Sequence, residues 1–111
     1  MRINGKDYKI PEITLSTVRQ LEKYGVFLMD ENSSKSILTV VSGFLCMTAH
    51  IRQQQADEII EQRFLNGEGV TDYLEEINIA FEKSDFINKI INKPKEKNQV
   101  LRFRFNNGSE L

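Results

Sequence analysis

Histidine and cysteine each occur once in this chain of 111 residues, as His50 and Cys46. A histidine-rich metal site or a Ser-His-Asp triad built on His50 would need partners that the sequence barely offers, so we expect no catalysis there. A single cysteine excludes a disulfide within the chain, as is usual for proteins of a reducing cytoplasm. Cys46 is flanked by Phe44, Leu45 and Met47. We therefore predict a buried structural thiol rather than a nucleophile, which needs an accessible, electropositive setting.

Other signals are absent as well. No apolar run approaches the about 20 residues that a membrane helix needs. Met1 opens onto a strand-like pattern rather than a basic and then apolar signal sequence. The sequence has no Gly-rich phosphate loop, no nucleotide fingerprint and no Asp-x-Asp-x-Asp-Gly calcium loop. We expect a protein that is not an enzyme, holds no cofactor or metal, stays in the cytoplasm and does not contact a membrane.

Charge is nearly balanced overall but unevenly distributed. Residues 1–88 hold nine basic and fourteen acidic residues, whereas residues 89–111 hold six basic and two acidic ones. Nine of the acids lie between residues 57 and 85, where the only basic residues are Arg63 and Lys83. Solvated helix faces explain most of these acids, and a solvated tail is the simplest interpretation of the basic end. An acidic surface could also select a basic partner segment and steer its approach.

The most prominent apolar stretch of the sequence is Lys35–Ile51. Its apolar residues occupy one face at helical spacing and most of the opposite side too, so the helix must be buried on most sides. We predict a central helix, capped by Ser33 or Ser34, with the other elements packed on it. The polar run His50–Gln55 then interrupts the apolar face, and we predict a break there, with Asp57 capping the next helix.

The N-terminal residues predict a β-hairpin. Asn4-Gly5 is the strongest short hairpin signal, because both residues accept positive φ. Short strand-like runs flank it from Arg2 to Ile10, and a hairpin of two strands needs helices to pack against. Thr14 is a good N-cap for a first helix from Leu15 to about Tyr24, and Gly25 fits the position just after it.

Three more helices follow from the same signals. A third helix has Ile59, Ile60 and Phe64 on its buried edge, and Asn66-Gly67-Glu68-Gly69 ends it. Thr71 is predicted to cap a fourth helix with Tyr73 and Phe81 among its apolar residues. Ser84-Asp85 bends that helix or caps a last short one that ends near residue 91. The predicted fold class is mainly α with a small N-terminal hairpin (α+β), a compact bundle of four to five helices in one domain, residues 1–91.

Residues 92–111 differ in character. Residues 93–99 are linker-like, and Val100-Leu101-Arg102-Phe103-Arg104-Phe105 alternates strictly. Leu101, Phe103 and Phe105 would share one side of a strand at residues 99–105, with both arginines on the other. Such a strand would pair with an edge of the hairpin, in the same molecule or in a neighbour, and pairing between molecules would give a homo-oligomer. A tail without fixed structure is the alternative.

The order of elements and several short motifs resemble the tail assembly chaperones encoded by tailed bacteriophages and prophages of Gram-positive bacteria. The resemblance covers about residues 1–91, and residues 92–111 have no counterpart. The motifs are Ile3-Asn4-Gly5-Lys6, Tyr8-Lys9-Ile10-Pro11, Thr14, Leu21-Glu22, Gly25, the apolar helix Leu38–Ala49, Phe64-Leu65-Asn66-Gly67 and Ala80-Phe81-Glu82-Lys83-Ser84.

This resemblance implies a partner-binding role. Chaperones of this family coat the long tape measure protein, recruit tail tube protein subunits and are absent from the finished virion. We expect apolar grooves beside the acidic helices to hold a helical partner. The candidate contacts are Phe27, Phe64, Tyr73 and Phe81, although core packing competes for each of them.

Two alternatives remain open at this point. A nucleic-acid-binding module would use Arg102-Phe103-Arg104-Phe105 and the upstream lysines, because aromatic stacking with cations suits single strands. The acidic body, which lacks a basic recognition helix, argues against that reading. A structural virion protein or a regulatory adaptor could share the same small helical fold.

Overall fold

The protein is mainly α-helical with a two-stranded antiparallel hairpin at its N-terminus, as predicted. The structure, a computed structural model, describes residues 1–28 and 36–90, and for Ile90 only the backbone. The elements in chain order are β1 (Arg2–Ile3), β2 (Lys6–Asp7), α1 (Leu15–Glu22), α2 (Ile37–Ala49), α3 (Gln53–Leu65), α4 (Thr71–Lys83) and α5 (Asp85–Ile90). The predicted strand at residues 99–105 lies outside the described residues.

The hairpin turns at Asn4-Gly5, where φ is 54° and 80°. These positive values are those that the two central residues of a type I′ turn require. The second strand ends at Asp7 rather than reaching Ile10 as predicted. Ile3 points into the core and is almost fully buried, which attaches the hairpin to the helices.

Helix α1 begins as predicted and ends slightly earlier. Thr14 and Thr17 form a capping box, in which each side chain accepts the backbone N–H of the other. At the other end, Gly25 has a φ of 87°, and Val26 N–H donates to Leu21 O at 3.0 Å. This six-residue closure is a Schellman motif, which needs glycine at the position with positive φ.

Helix α2 is the centre of the fold. Nine consecutive residues, Val40 to Thr48, are buried. Ser36 caps the helix by accepting Thr39 N–H, so the predicted cap at Ser33 or Ser34 is wrong. Gly43 allows close approach of the preceding segment, because a Cβ at this position would lie 2.6 Å from Val26 Cγ2.

The predicted break after the central helix is confirmed, but the prediction that Asp57 caps the next helix is wrong. His50 adopts the left-handed conformation with a φ of 57° and ends α2. Helix α3 then starts at Gln53, before Asp57, and Gln55 Oε1 accepts Arg52 N–H at 3.0 Å. Asp57 lies within α3 and accepts Ser42 Oγ–H at 2.9 Å, so its carboxylate joins α3 to α2 instead of capping a helix.

Helices α4 and α5 complete the bundle. Thr71 is the first residue of α4 and Val70 is its N-cap, without a side-chain hydrogen bond, so the predicted Thr71 cap is wrong. Ser84 ends α4 and caps α5 as predicted, since Ser84 Oγ accepts Ile87 N–H at 3.1 Å. The same hydroxyl donates to Ile13 O, which ties the α4–α5 junction to the segment before α1. In the core, the rings of Phe44 and Phe81 meet edge to face at 6.0 Å.

Candidate partner-binding surface

The four aromatic residues predicted to contact a partner fall into two groups. Phe27 and Phe64 expose 44% and 52% of their surface. Tyr73 and Phe81 are buried in the core, where α4 packs on the rest of the bundle. Their burial argues against direct contact with a partner, and in both cases core packing uses the ring. Leu101, Phe103 and Phe105 lie outside the described residues.

Tyr73 is the centre of a polar junction between three elements. Its hydroxyl donates to Arg2 O of the hairpin at 2.7 Å. The Arg63 guanidinium lies over the Tyr73 ring at 4.2 Å, close enough for a cation–π contact. Burial raises the pKa of the Tyr73 hydroxyl, and the nearby Arg63 charge opposes that rise only in part.

Arg63 also fixes the turn between α3 and α4. Its Nε donates to Gly69 O at 2.7 Å, and its NH2 nitrogen donates to Asp72 Oδ1 at 2.6 Å. Asp72 occupies the first turn of α4, where the helix dipole also favours an acid. The loop geometry next to Phe64 is therefore held by a side chain that is itself mostly buried.

An apolar pair at the end of α3 lies beside this junction. Phe64 and Leu65 expose 52% and 70% of their surface, and Leu65 is the most exposed large apolar side chain of the described residues. The exposed acids Glu61 and Glu68 precede and follow the pair. We call these four residues the α3 patch. Gly67, with a φ of 79°, closes α3 through Gly67 N–H to Phe64 O and Glu68 N–H to Arg63 O.

A groove of about 640 Å³ opens between α3, the hairpin turn and the start of α4. Ile51 and Ile59 contribute apolar lining, while Gln62 and Asn4 contribute amides. Glu68 of the α3 patch lies on its wall. Of the α3 patch, Glu68 alone lines this groove, whereas Phe64 and Leu65 lie outside its lining.

A second, more apolar trough of about 550 Å³ lies on another side of α4. The second hairpin strand and its extension to Ile10 form one wall, and α4 residues Ile79, Ala80 and Lys83 form the other. Ile79 is 48% exposed. We call this the hairpin–α4 trough.

Cys46 and His50, the single cysteine and the single histidine, lie within and at the end of α2. Cys46 is buried, and its pKa is raised by burial and by the nearby Asp57 charge, so the thiol stays protonated. His50 is exposed and its backbone forms the helix end. Residues 1–28 and 36–90 contain no group of three or more His, Cys, Asp or Glu residues arranged to hold a metal ion.

Over the same described ranges, no helix has both the length and the apolar character that crossing a membrane requires. Comparison of the chain with protein-family models, with curated proteins and with solved structures gives no match.

Of the exposed large apolar side chains, sequence reasoning named Phe27 and Phe64 as candidate contacts and did not name Leu65 or Ile79. Leu65 precedes the predicted helix stop, where the chain turns away and the side chain loses neighbours. Ile79 follows Ile77 by two positions, so the two cannot share a helix face. The two-residue spacing of Ile77 and Ile79 was therefore the signal in the sequence that one of these isoleucines is exposed.

Proposed function

We propose that this protein is a tail assembly chaperone of a tailed phage or prophage, which binds the tape measure protein and helps to recruit tail tube subunits. The proposal begins from the resemblance in element order and motifs over residues 1–91. It assigns a transient role in the host cytoplasm, so the protein should be missing from purified virions.

The α3 patch is the observation that carries this function. Contiguous exposed apolar surface can mark a protein-interaction site, and Phe64 and Leu65 are consecutive residues that are both exposed. An amphipathic helix of a partner offers apolar anchors at i, i+3, i+4 and i+7, which can cover Phe64 and Leu65. Basic residues flanking such anchors would meet Glu61 and Glu68, and complementary charge of this kind fixes orientation and speeds encounter.

The adjoining groove extends this surface. Glu68 belongs both to the α3 patch and to the groove wall, and a partner that reaches past Glu68 would find the amides of Gln62 and Asn4 in the groove. Arg63 keeps the two parts in register through its bonds to Gly69 and Asp72. The binding site therefore rests on a rigid junction rather than on a loose loop.

Co-expression with the tape measure protein of the same phage or prophage tests the proposal. The native chain should keep that protein soluble and copurify with it. The double substitution Phe64→Ser and Leu65→Ser should reduce the copurified amount about tenfold, because loss of central apolar anchors weakens binding by more than 1 kcal/mol.

Leu15→Ser is the matched control, since Leu15 is 48% exposed and belongs to a different helix, at the start of α1. It should leave copurification unchanged. A tape measure protein whose solubility does not depend on this chain would remove the chaperone role. Equal losses in the patch variant and the Leu15 variant would remove the α3 patch from it.

A further inference from the structure

The groove between α3 and the hairpin turn has uncompensated negative charge. Its charged lining consists of Arg2, Glu58, Arg63, Glu68 and Asp72. Arg63 forms an ion pair with Asp72 at 2.6 Å, and Arg2 forms one with Asp7 at 3.0 Å, so both cations are already matched. The two exposed glutamates form no ion pair with another residue of the ranges 1–28 and 36–90. A positively charged occupant would therefore complement the groove.

Side-chain amides line the groove beside these glutamates. They belong to Asn4, Gln55, Gln62 and Asn66. Gln55 Oε1 accepts Arg52 N–H at 3.0 Å. The other three amides form no hydrogen bond within the described part of the chain, and each of them offers both a donor and an acceptor. The groove can therefore bind groups that carry an N–H and a C=O side by side.

Most of these groups form a strip along one face of α3. Four lining residues follow one another at steps of three or four positions: Gln55, Glu58, Gln62 and Asn66. Residues at this spacing are neighbours on a helix surface. The strip is about 16 Å long at the rise of a helix, which is the length of about five residues of an extended chain. Ile51 and Ile59, both half-buried, add apolar contact for the aliphatic stem of a lysine or arginine.

The walls of the groove are held in place by hydrogen bonds. Asn4 and Gly5 form the hairpin turn on one side. The Tyr73 hydroxyl donates to Arg2 O at 2.7 Å and so ties this turn to α4. Arg63 likewise fixes the turn that follows α3. Because both walls are fixed before an occupant arrives, binding loses little conformational entropy of the protein.

The occupant that fits this lining is extended rather than helical. A helix uses its own backbone N–H and C=O groups internally, so its interior offers none to side-chain amides. An extended segment presents both groups at intervals along its length. A lysine or arginine in such a segment would place its charge near Glu58 or Glu68.

We propose that this groove binds an extended, basic peptide segment of a partner protein, about five residues long. The side-chain amides hydrogen-bond to the backbone of the segment, and Glu58 and Glu68 bind its lysine or arginine side chains. The inference rests on the proposed chaperone function for the presence of a protein partner. It deepens that function by giving the chemistry of the partner segment next to the helix that covers the α3 patch.

NMR titration of the full-length chain tests the site with a defined probe. The probe is a blocked hexapeptide in which lysine alternates with serine. The side-chain amide signals of Asn4, Gln62 and Asn66 should shift as the peptide is added, together with backbone amides of α3. The same peptide with glutamate in place of lysine should not bind. A helical peptide of equal positive charge should bind several-fold more weakly.

A double variant measures the contribution of the groove to this binding. Glu58→Gln with Gln62→Ala removes one charge and one amide, and it should raise the Kd of the peptide about fivefold or more, because an ion pair and a hydrogen bond are lost together. Glu75→Gln with Gln54→Ala is the matched control. It makes the same chemical changes at exposed residues outside the groove lining and should leave the Kd unchanged.

The α3-patch variant separates this inference from the chaperone function. Phe64 and Leu65 do not line the groove, so Phe64→Ser with Leu65→Ser should bind the peptide as the native chain does. A native chain that binds the peptide in the groove but does not bind the tape measure protein would contradict the chaperone function alone.

Other results would overturn the groove proposal. Equal Kd values for the groove variant and its control would remove Glu58 and Gln62 from the binding site. Signals that shift at exposed acids throughout the chain, or no shift of the groove amides, would show that the groove selects no basic segment. Equally tight binding of the helical peptide would contradict an extended occupant.

Discussion

At the residue scale, Tyr73 connects the hairpin to the helices through a single hydroxyl. Its bond to Arg2 O joins residues 71 positions apart in the chain. Two other contacts hold this part of the hairpin: the Met1 ammonium forms an ion pair with Glu76 of α4 at 3.0 Å, and the Ile3 side chain is buried in the core. The Tyr73 ring would stay buried without its hydroxyl, so the contribution of the hydrogen bond can be measured by itself.

We expect Tyr73→Phe to lower the free energy of unfolding by about 1 kcal/mol, because the partly buried hydrogen bond to the Arg2 carbonyl is lost. Urea denaturation measures the change. Tyr24→Phe is the control, since the half-buried Tyr24 hydroxyl makes no hydrogen bond in the described part of the chain. Equal effects of the two substitutions would show that the Tyr73 hydroxyl contributes nothing specific.

Two buried threonines predict opposite results for one substitution. Thr48 Oγ1 is buried and has no hydrogen-bond partner among the described residues. Thr17 Oγ1, in contrast, accepts Thr14 N–H and donates to Thr14 O at 2.8 Å. We expect Thr48→Val to raise the free energy of unfolding by up to about 1 kcal/mol, and Thr17→Val to lower it by about 1–2 kcal/mol. Thermal denaturation of both variants measures these changes. A Thr48→Val variant that is less stable than Thr17→Val would contradict this account.

At the element scale, helix ends were the hardest features to predict. The sequence offers several capping residues near each boundary, and packing decides which one is used. Ser36 caps α2 where burial begins, one turn before Val40. Asp57 has the right chemistry for a cap, but Ser42 on the neighbouring helix binds it instead. Predictions from Gly25 and Gly67 succeeded because positive φ at a helix end selects glycine whatever the packing.

The Ser84 hydroxyl has two structural roles, because it caps α5 and also bonds the segment before α1. We expect Ser84→Ala to lower the free energy of unfolding by about 2 kcal/mol and to speed amide exchange in α5, since both the Ile87 cap and the tie to Ile13 are lost. Ser36→Ala should have a smaller effect, because exposed Ser36 makes one bond of 3.4 Å. An α5 that exchanges no faster in Ser84→Ala would contradict the role of this cap.

At the scale of the whole molecule, the apolar pattern predicted the central helix and the fold class. It could not tell which aromatic residues would remain at the surface. Phe64 and Phe81 each lie on the apolar side of a predicted helix, yet one is exposed and the other packs on Phe44. The difference arises because α3 ends at Leu65, beyond the helices that could cover it, whereas Phe81 lies within the bundle.

Stability should fall in alkaline solution, because two buried acids of high pKa are neutral in the fold. Burial raises the pKa of the Cys46 thiol above its ordinary 9.0 and that of the Tyr73 hydroxyl above its ordinary 10.0. Above about pH 9 the unfolded chain therefore binds fewer protons than the folded one, and the free energy of unfolding decreases as pH rises. Melting temperatures measured from pH 7 to pH 10.5 should show this decline, and Cys46→Ala should make it shallower. A curve that is flat over this range would contradict the burial of both groups.

The α3 patch as the binding site for a helical partner is the central claim, and an affinity measurement tests it most directly. Titration of the purified protein with a soluble helical fragment of the tape measure protein should give saturable binding. Phe64→Ser with Leu65→Ser should raise the Kd about tenfold or more, while Leu15→Ser leaves it unchanged. Binding that is absent in the native protein, or equally tight in the patch variant, would contradict the account.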